Sequence, residues 1–430
     1  MERSVDIAVV GAGFAGMYMV HRARAANLSV QVFEAGTDVG GTWYWNRYPG
    51  ARCDIESVEY SYSFDNDLQQ QWEWNERYAG QPEILNYAQH VADRFDLRRD
   101  IQFSTRVTSA IFNEKTNNWR VSTDQGDVLT ARFVVFATGC LSSTNVPHFI
   151  GADSFTGATY HTGEWPHEGV DFTGKSVGLI GTGSSAIQSI PIIAAQAKHL
   201  TVFQRTATYS VPARNDTIDK EYVKDVKANY KEFRELNKQQ TAAFGSRIRR
   251  GEQSALEVSD AERRQEFERR WEEGGFAFLS SYTDFLLNND ANETVAEFVR
   301  EKIYSIVKDP ETAKKLLPQQ VIGCKRLCLD SGYYETFNRP NVSLVDVSTD
   351  PIERITEHGL IAGGEKAITQ AVEHAEDNAK QGWMDLLAHQ PNELDILVGI
   401  AASGTTPYVI GALTEARKAG LLTASVTCNP

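Results

Sequence analysis

Two glycine-rich turns bring together the residue types most suited to chemistry. Gly11, Gly13 and Gly16 follow the apolar run of residues 6–10 in a GxGxxG spacing. Glycines so placed allow a tight turn, a close backbone approach to a pyrophosphate and close packing of helix on strand. The helix that follows offers free N–H groups and a partial positive charge. Glu34 stands roughly 20 positions on, where a carboxylate accepts bonds from ribose hydroxyls. Gly181, Gly183 and Ala186 repeat the turn as GxGxxA, and Arg205 stands where the first copy has Glu34. A guanidinium there matches a 2′-phosphate. The pattern predicts two dinucleotide sites, the second reading NADPH in preference to NADH. The alternative for Arg205 is a solvated charge at a strand end.

Between the turns lie two unusual stretches. Residues 40–54 pair Gly40 and Gly41 with Trp43, Tyr44 and Trp45, and end on Arg52, Cys53 and Asp54. Such a loop suits the flat ring of FAD, and otherwise reads as a surface turn with core aromatics. Residues 155–166 carry Phe155, Gly157, His161, Trp165 and Pro166. This stretch either touches both nucleotide domains or is a packed linker.

The elements that must position these residues follow from periodicity. Residues 6–10 and 28–33 read as buried parallel strands with a helix over 17–26 between them. Residues 133–139 read as a strand returning to the first sheet. Val107 and residues 119–121 read as antiparallel strands covering that sheet. Residues 175–180, 186–197 and 200–203 repeat the strand–helix–strand unit. Residues 220–317 are charged and helix-periodic, with a capping box from Ser259 to Glu262 and an apolar stripe of Val295, Phe298, Val299, Ile303 and Ile306. Near the end, residues 395–400 and 421–427 read as strands around a helix over 407–418, with Pro407 in its first turn.

The 430 residues suffice for two or three domains. A net charge of −14 argues against nucleic acid. Five scattered cysteines make no disulfide framework, and Cys324 with Cys328 lacks the second pair that zinc needs. Neither a signal peptide nor a run long and apolar enough for a membrane is apparent. The expectation is a reduced, cytoplasmic protein without metal or membrane partner.

The motif FxGxxxHxxxWP, flanked by GxGxxG and GxGxxA, resembles the fingerprint of Baeyer–Villiger monooxygenases. Residues 40–54 and the Cys324–Asp330 stretch, CKRLCLD, are similar to the steroid and phenylacetone members. The resemblance spans about residues 5–359. It implies an α/β fold with two Rossmann-like domains, one for FAD and one for NADPH, and a helical insertion. The implied domains are 1–145 for FAD, 146–219 with 318–345 for NADPH, 220–317 for the insertion, and 346–361 returning towards the FAD domain. The implied activity converts ketones to esters or lactones with O₂ through a flavin C4a-peroxide. Arg326 would stabilise the peroxyanion and Asp54 would orient it. Lys325, Arg205 and Thr206 would hold the 2′-phosphate, while His161 is as well read as a structural histidine. The remaining cofactor contacts would be Gly11, Gly13, Ala15, Gly16, Glu34, Gly41, Thr42, Trp43, Arg52, Tyr60, Val107, Gly181, Thr182, Gly183, Ser184, Ser185 and Gln188.

After Gly359 that family pattern stops. Residues 362–430 resemble a fragment of the N-acetylmuramic acid 6-phosphate etherases, a sugar-isomerase fold. Ser403, Gly404, Thr405 and Thr406 would cradle a sugar phosphate at a helix start, and Glu373 or Glu376 would correspond to an acid/base carboxylate. The family's earlier phosphate loop has no counterpart. Besides the monooxygenase, two readings follow: an uncoupled NADPH oxidase or inactive chimera, and a sugar-phosphate-binding module.

Overall fold

A computed structural model describes residues 3–240, 242–349, 351–362, 383–384, 387, 396–400, 407–419 and 422–426. The chain divides into two units, Met1–Ser348 with Ile352–Ile361, and Thr349–Pro351 with Ala362–Pro430.

In the first unit β1 (Arg3–Val10) leads through the Gly11 turn into α1 (Phe14–Ala25) and then β2 (Val30–Phe33). Gly16, Met17, Val20 and Ala23 are the buried face of α1, at helical spacing, and all four residues of β2 are buried. Helices α2 (Thr42–Trp45), α3 (Asn66–Gln71) and α4 (Gln81–Arg94) follow. Next come β3 (Ile101–Gln102), β4 (Val107–Asn113), β5 (Asn118–Thr123) and β6 (Val128–Phe136). They complete a six-stranded sheet in the order β3-β2-β1-β6-β5-β4.

The antiparallel strands extend this sheet where the sequence suggested that they cover it. The reason is that β6 has a partner on each edge. Residues 128–131 pair antiparallel with β5, Trp119 opposite Ala131, while residues 129–136 pair parallel with β1 on the other edge, Arg3 opposite Leu129 and Val10 opposite Phe136.

The second half repeats the unit with β7 (Ser176–Ile180), α5 (Ser184–Gln196) and β8 (His199–Gln204). After β9 (Ser210–Pro212) come α6 (Lys220–Ala228), α7 (Tyr230–Lys238), α8 (Asp260–Glu273), α9 (Asn289–Ile306) and α10 (Pro310–Lys315). Then β10 (Cys328–Asp330), α11 (Tyr333–Thr336) and β11 (Val342–Asp346) return to the strands. β11, β8 and β7 form a parallel three-stranded sheet, and β9 pairs with β10.

The helical stretch divides between two cores. Val223, Val226, Tyr230 and Phe233 of α6 and α7 pack into the cluster around β1, β2 and α1. Phe267 and Trp271 of α8, with Val295, Phe298, Val299 and Ile303 of α9, join Ile187 and Val202 in the other cluster. The Ser259–Glu262 capping box closes the start of α8 reciprocally. Each such fully buried apolar side chain contributes roughly 1.5–3 kcal/mol.

β12 (Ile352–Thr356) and β13 (Gly359–Ala362) pair with each other. This pair holds residues 150–156, since Ile355 N donates to Ile150 O and Thr156 N to Glu357 O. Large apolar side chains remain exposed at the ends of two strands, with Phe136 59% and Ile180 45% accessible.

In the second unit β14 (Ile396–Ile400) and β15 (Leu422–Val426) pair in parallel, with the helix Pro407–Lys418 between them in the chain. Loop residues 403–406, Glu373 and Glu376 lie outside the described residues. No helix among the described residues is long and apolar enough to cross a membrane.

Candidate functional site

The first glycine turn is built from mutual backbone approach. Gly11 has φ +102°, and a Cβ there would stand 2.7 Å from Ala137 O. A Cβ on Gly16 would lie 1.9 Å from Gly11 O, so no side chain fits at that place. A Cβ on Gly13 would meet Gly41 Cα at 3.3 Å, and one on Gly41 (φ +55°) would meet Gly13 Cα at 2.7 Å. The two glycine loops therefore touch. Gly13 caps α1 without a side-chain bond, which leaves the first-turn N–H groups free for an anion. Ala15 is exposed on that turn.

Glu34 is buried at the tip of β2. Its Oε2 accepts from Ala12 N and its Oε1 from Gly36 N, both at 2.7 Å. The carboxylate thus ties the turn to the strand end, beyond any ribose role. Beside it Trp43 is buried and its Nε1 donates to Tyr60 Oη at 3.0 Å, while Thr42 is exposed. Burial raises the Tyr60 pKa, keeping that phenol a neutral acceptor. Val107 begins β4 opposite Thr123.

The second turn is open. Gly181 has φ +106°, and a Cβ on either Gly181 or Gly183 would meet nothing within 4 Å. That is space for a phosphate. Ser184 begins α5 and Ser185 follows it, and Thr182 Oγ1 donates to Thr206 O at 2.9 Å. Arg205 and Thr206 are exposed directly after β8, and Lys325 is exposed on the loop before β10. The glycine cradles, the free helix starts and these cations fit two dinucleotides.

Between the two turns the halves of the unit meet. Gln188 of α5 reaches across, accepting from Tyr48 Oη at 2.9 Å and donating to Arg52 O at 3.2 Å and to Asp54 Oδ1 at 3.4 Å. A Cβ on Gly50 would stand 2.4 Å from Gln188 O, so the glycine permits this approach. Arg326 Nη2 lies 2.8 Å from Asp54 Oδ2. The contact is an ion pair off the hydrogen-bonding direction, and Oδ2 has no hydrogen-bond partner. Asp54 is 4% exposed and the Arg326 side chain 64%. Burial raises the Asp54 pKa, with Arg326 pulling against it. Burial also pushes the Cys53 thiol up to about 12 and Cys328 to about 11, so both stay protonated. Arg52 pairs with Glu76 at 2.8 Å.

In residues 155–166, Trp165 is buried in the second core beside Phe172, with ring centroids 6.1 Å apart. Half-buried Phe155 lies along Gly157, where a Cβ would stand 2.5 Å from its ring. His161 Nδ1 accepts from Gly163 N at 3.1 Å, and Pro166 is half-buried. The structure gathers Arg52, Asp54, Gln188 and Arg326 into one nest, and keeps Val107 on β4 and Arg205 on the outer end of β8. Sequence reasoning passed over Tyr48, although it stands in the glycine-paired aromatic loop. It also passed over Tyr78 and Tyr222, which line the cavity beside Asp54 and for which no local signal exists.

Residues 8–270 match the family model described as pyridine nucleotide-disulphide oxidoreductase. Residues 340–417 match that of the glucokinase regulatory protein N-terminal SIS domain, a likeness to the sugar-isomerase type at domain level. A Baeyer–Villiger monooxygenase of Pseudooceanicola batsensis is 46% identical over 358 residues, 83% of this chain and 65% of the relative. The chain thus spans just under two-thirds of that relative's length. The solved structure of oxidized steroid monooxygenase bound to NADP is 55% identical with a TM-score of 0.81, over 84% of this chain and 69% of that one. The OTEMO complex with FAD and NADP is 42% identical with a TM-score of 0.80, over 84% and 68%. The chain therefore belongs to the pyridine nucleotide-disulphide oxidoreductase family, among its Baeyer–Villiger monooxygenases.

Proposed function

We propose that the chain is an FAD- and NADPH-dependent monooxygenase that converts ketones to esters or lactones with O₂. The observation that carries this reading is the Asp54–Arg326 ion pair, set where the two glycine-turn halves meet. The relatives' names and bound nucleotides support the same cofactors. When bound, NADPH and FAD would supply the reducing equivalents and the oxygen activation. The chain's own residues do the rest. The α1 start and Gly13 bind the FAD pyrophosphate, and the α5 start and Gly183 that of NADPH, with Arg205, Thr206 and Lys325 on the 2′-phosphate. The planar Arg326 guanidinium offers several N–H donors, so it stabilises the negative oxygen that forms when the ketone carbonyl is attacked. Asp54 holds that guanidinium at the junction, and Gln188 holds Asp54. In this reading His161 orders its own loop, since its Nδ1 is already engaged by Gly163 N.

The test is a purified, yellow protein whose flavin spectrum bleaches with NADPH, giving ester in step with NADPH consumed. A colourless folded chain, or ester undiminished in Arg326→Ala, would refute the reading. A second reading is favoured by the exposure of Arg326 and of Phe136, which abuts the Ala137 approach to Gly11. A site so open to water makes an uncoupled NADPH oxidase, recognised by hydrogen peroxide equal to NADPH consumed and no ester.

A further inference from the structure

The wall beside Asp54 opens on a cavity of about 440 Å³, within the range of small-molecule sites. Ile55, Tyr78, Ile218, Phe244 and Phe276 give it an apolar lining. The rest of the wall is charged and unbalanced, with six carboxylates against three arginines. Each of those arginines already has a carboxylate partner. Arg77 pairs with Glu56 at 2.8 Å, Arg214 with Glu272 at 3.2 Å, and Arg247 with Asp225 at 2.5 Å. Glu272 and Asp225 are not themselves part of the lining. Glu59, Asp216 and Asp219 line the cavity with no cationic side chain within 4 Å among the described residues. Asp54 belongs to the same wall, and its buried Oδ2 lacks a hydrogen-bond donor.

We propose that this cavity is a charge-selective substrate site, taking neutral or cationic carbonyl compounds and rejecting those that bear a carboxylate or phosphate. The proposal rests on the monooxygenase reading, because the cavity shares Asp54 with the ion pair. The apolar lining removes the hydrocarbon body of the ligand from water. The sign of the wall then decides which substituents accompany it. Each unpaired carboxylate a few ångströms from a bound anion weakens it by roughly threefold to fivefold at water-like screening. Three such groups give a discrimination of at least about tenfold. Because the effect is Coulombic, it weakens as the screening length falls to about 3 Å near 1 M salt.

The test uses the full chain and three acetophenones carrying a para trimethylammonium, tert-butyl or carboxylate group, the first two of equal size. Equilibrium dialysis at about 20 mM and about 1 M salt measures binding without turnover. The carboxylate should bind at least about tenfold more weakly than the neutral ketone at low salt, with the gap closing at high salt. An Asp216→Asn, Asp219→Asn double variant should narrow the gap by about threefold or more. Both side chains are exposed, and asparagine preserves the cap at Asp219, so an unchanged melting curve is expected. Equal binding of all three, tighter binding of the carboxylate, a gap indifferent to salt, or no binding at all would overturn the proposal. The charge order without ketone-dependent NADPH consumption would refute the monooxygenase reading alone. Turnover without the charge order would refute the cavity alone.

Discussion

Removing Arg326 and removing Asp54 should cost very different amounts, although the two form one ion pair. Arg326→Ala strands a carboxylate that is 4% exposed, whereas Asp54→Asn leaves a guanidinium that is 64% exposed and already solvated. Breaking a fully buried pair costs about 3–5 kcal/mol because an uncompensated charge stays behind. Solvent screens this exposed arginine, so Arg326→Ala should cost about 2–3 kcal/mol near pH 8. Asp54→Asn should stay within about 1 kcal/mol of the parent, and the double variant should return to that range. The pH dependence follows in sign. Burial holds the folded pKa of Asp54 above its ordinary value, so the folded state binds the proton more tightly than the unfolded chain. The ionised carboxylate then penalises folding above the folded pKa, and the penalty fades as pH falls through it. Loss of Arg326 raises that pKa further, so the cost of Arg326→Ala should shrink between pH 8 and pH 5. Urea unfolding followed by tryptophan fluorescence at both pH values reads all of this. An Asp54→Asn variant as unstable as Arg326→Ala, or a double variant no better than Arg326→Ala, would refute the argument.

Two further outcomes separate fold from cofactor. Gly16→Ala would place a Cβ 1.9 Å from Gly11 O and should abolish soluble, flavin-bearing protein, whereas Gly183→Ala meets nothing within 4 Å and should keep its melting temperature while NADPH affinity falls; equal behaviour of the two would contradict the geometry. Arg205→Gln, at an exposed position, should leave stability unchanged and cut the NADPH-over-NADH preference by about 10–100-fold, the worth of a charged hydrogen bond; steady-state kinetics with both nucleotides would show it, and an unchanged preference would mean a merely solvated charge.

Much of the fold was legible because its signals are local. The glycine turns announce β1, α1 and β2, and later β7, α5 and β8, since each turn needs positive φ at its first glycine. The Ser259–Glu262 box is likewise a four-residue pattern. Less visible was the single sheet formed by β4, β5 and β6, because one nine-residue strand serves two partners and periodicity reports one strand at a time. The division of the helices between two cores was hidden for a similar reason. Val223 and Phe267 look alike on their helices, and only tertiary packing sends them to different clusters. Gln188 meets Arg52 and Asp54 across 136 and 134 positions of chain, and no spacing rule links them. The cavity draws its wall from five separated stretches of sequence.

The contact between Gly13 and Gly41 has a consequence for how such sequences can change. Gly41 is closed twice over, by its positive φ and by Gly13 Cα at 2.7 Å from any Cβ, while a Cβ on Gly13 would press on Gly41 Cα at 3.3 Å. A substitution at one cannot be accommodated by shrinking its neighbour, because the neighbour is already glycine. Drift is therefore most restricted at Gly41, and any change at Gly13 must be met by a shift of the Gly41 loop. Descendants of this chain can replace Gly41 only by rebuilding its loop, whereas a small side chain at Gly13 asks that loop to move by a few tenths of an ångström.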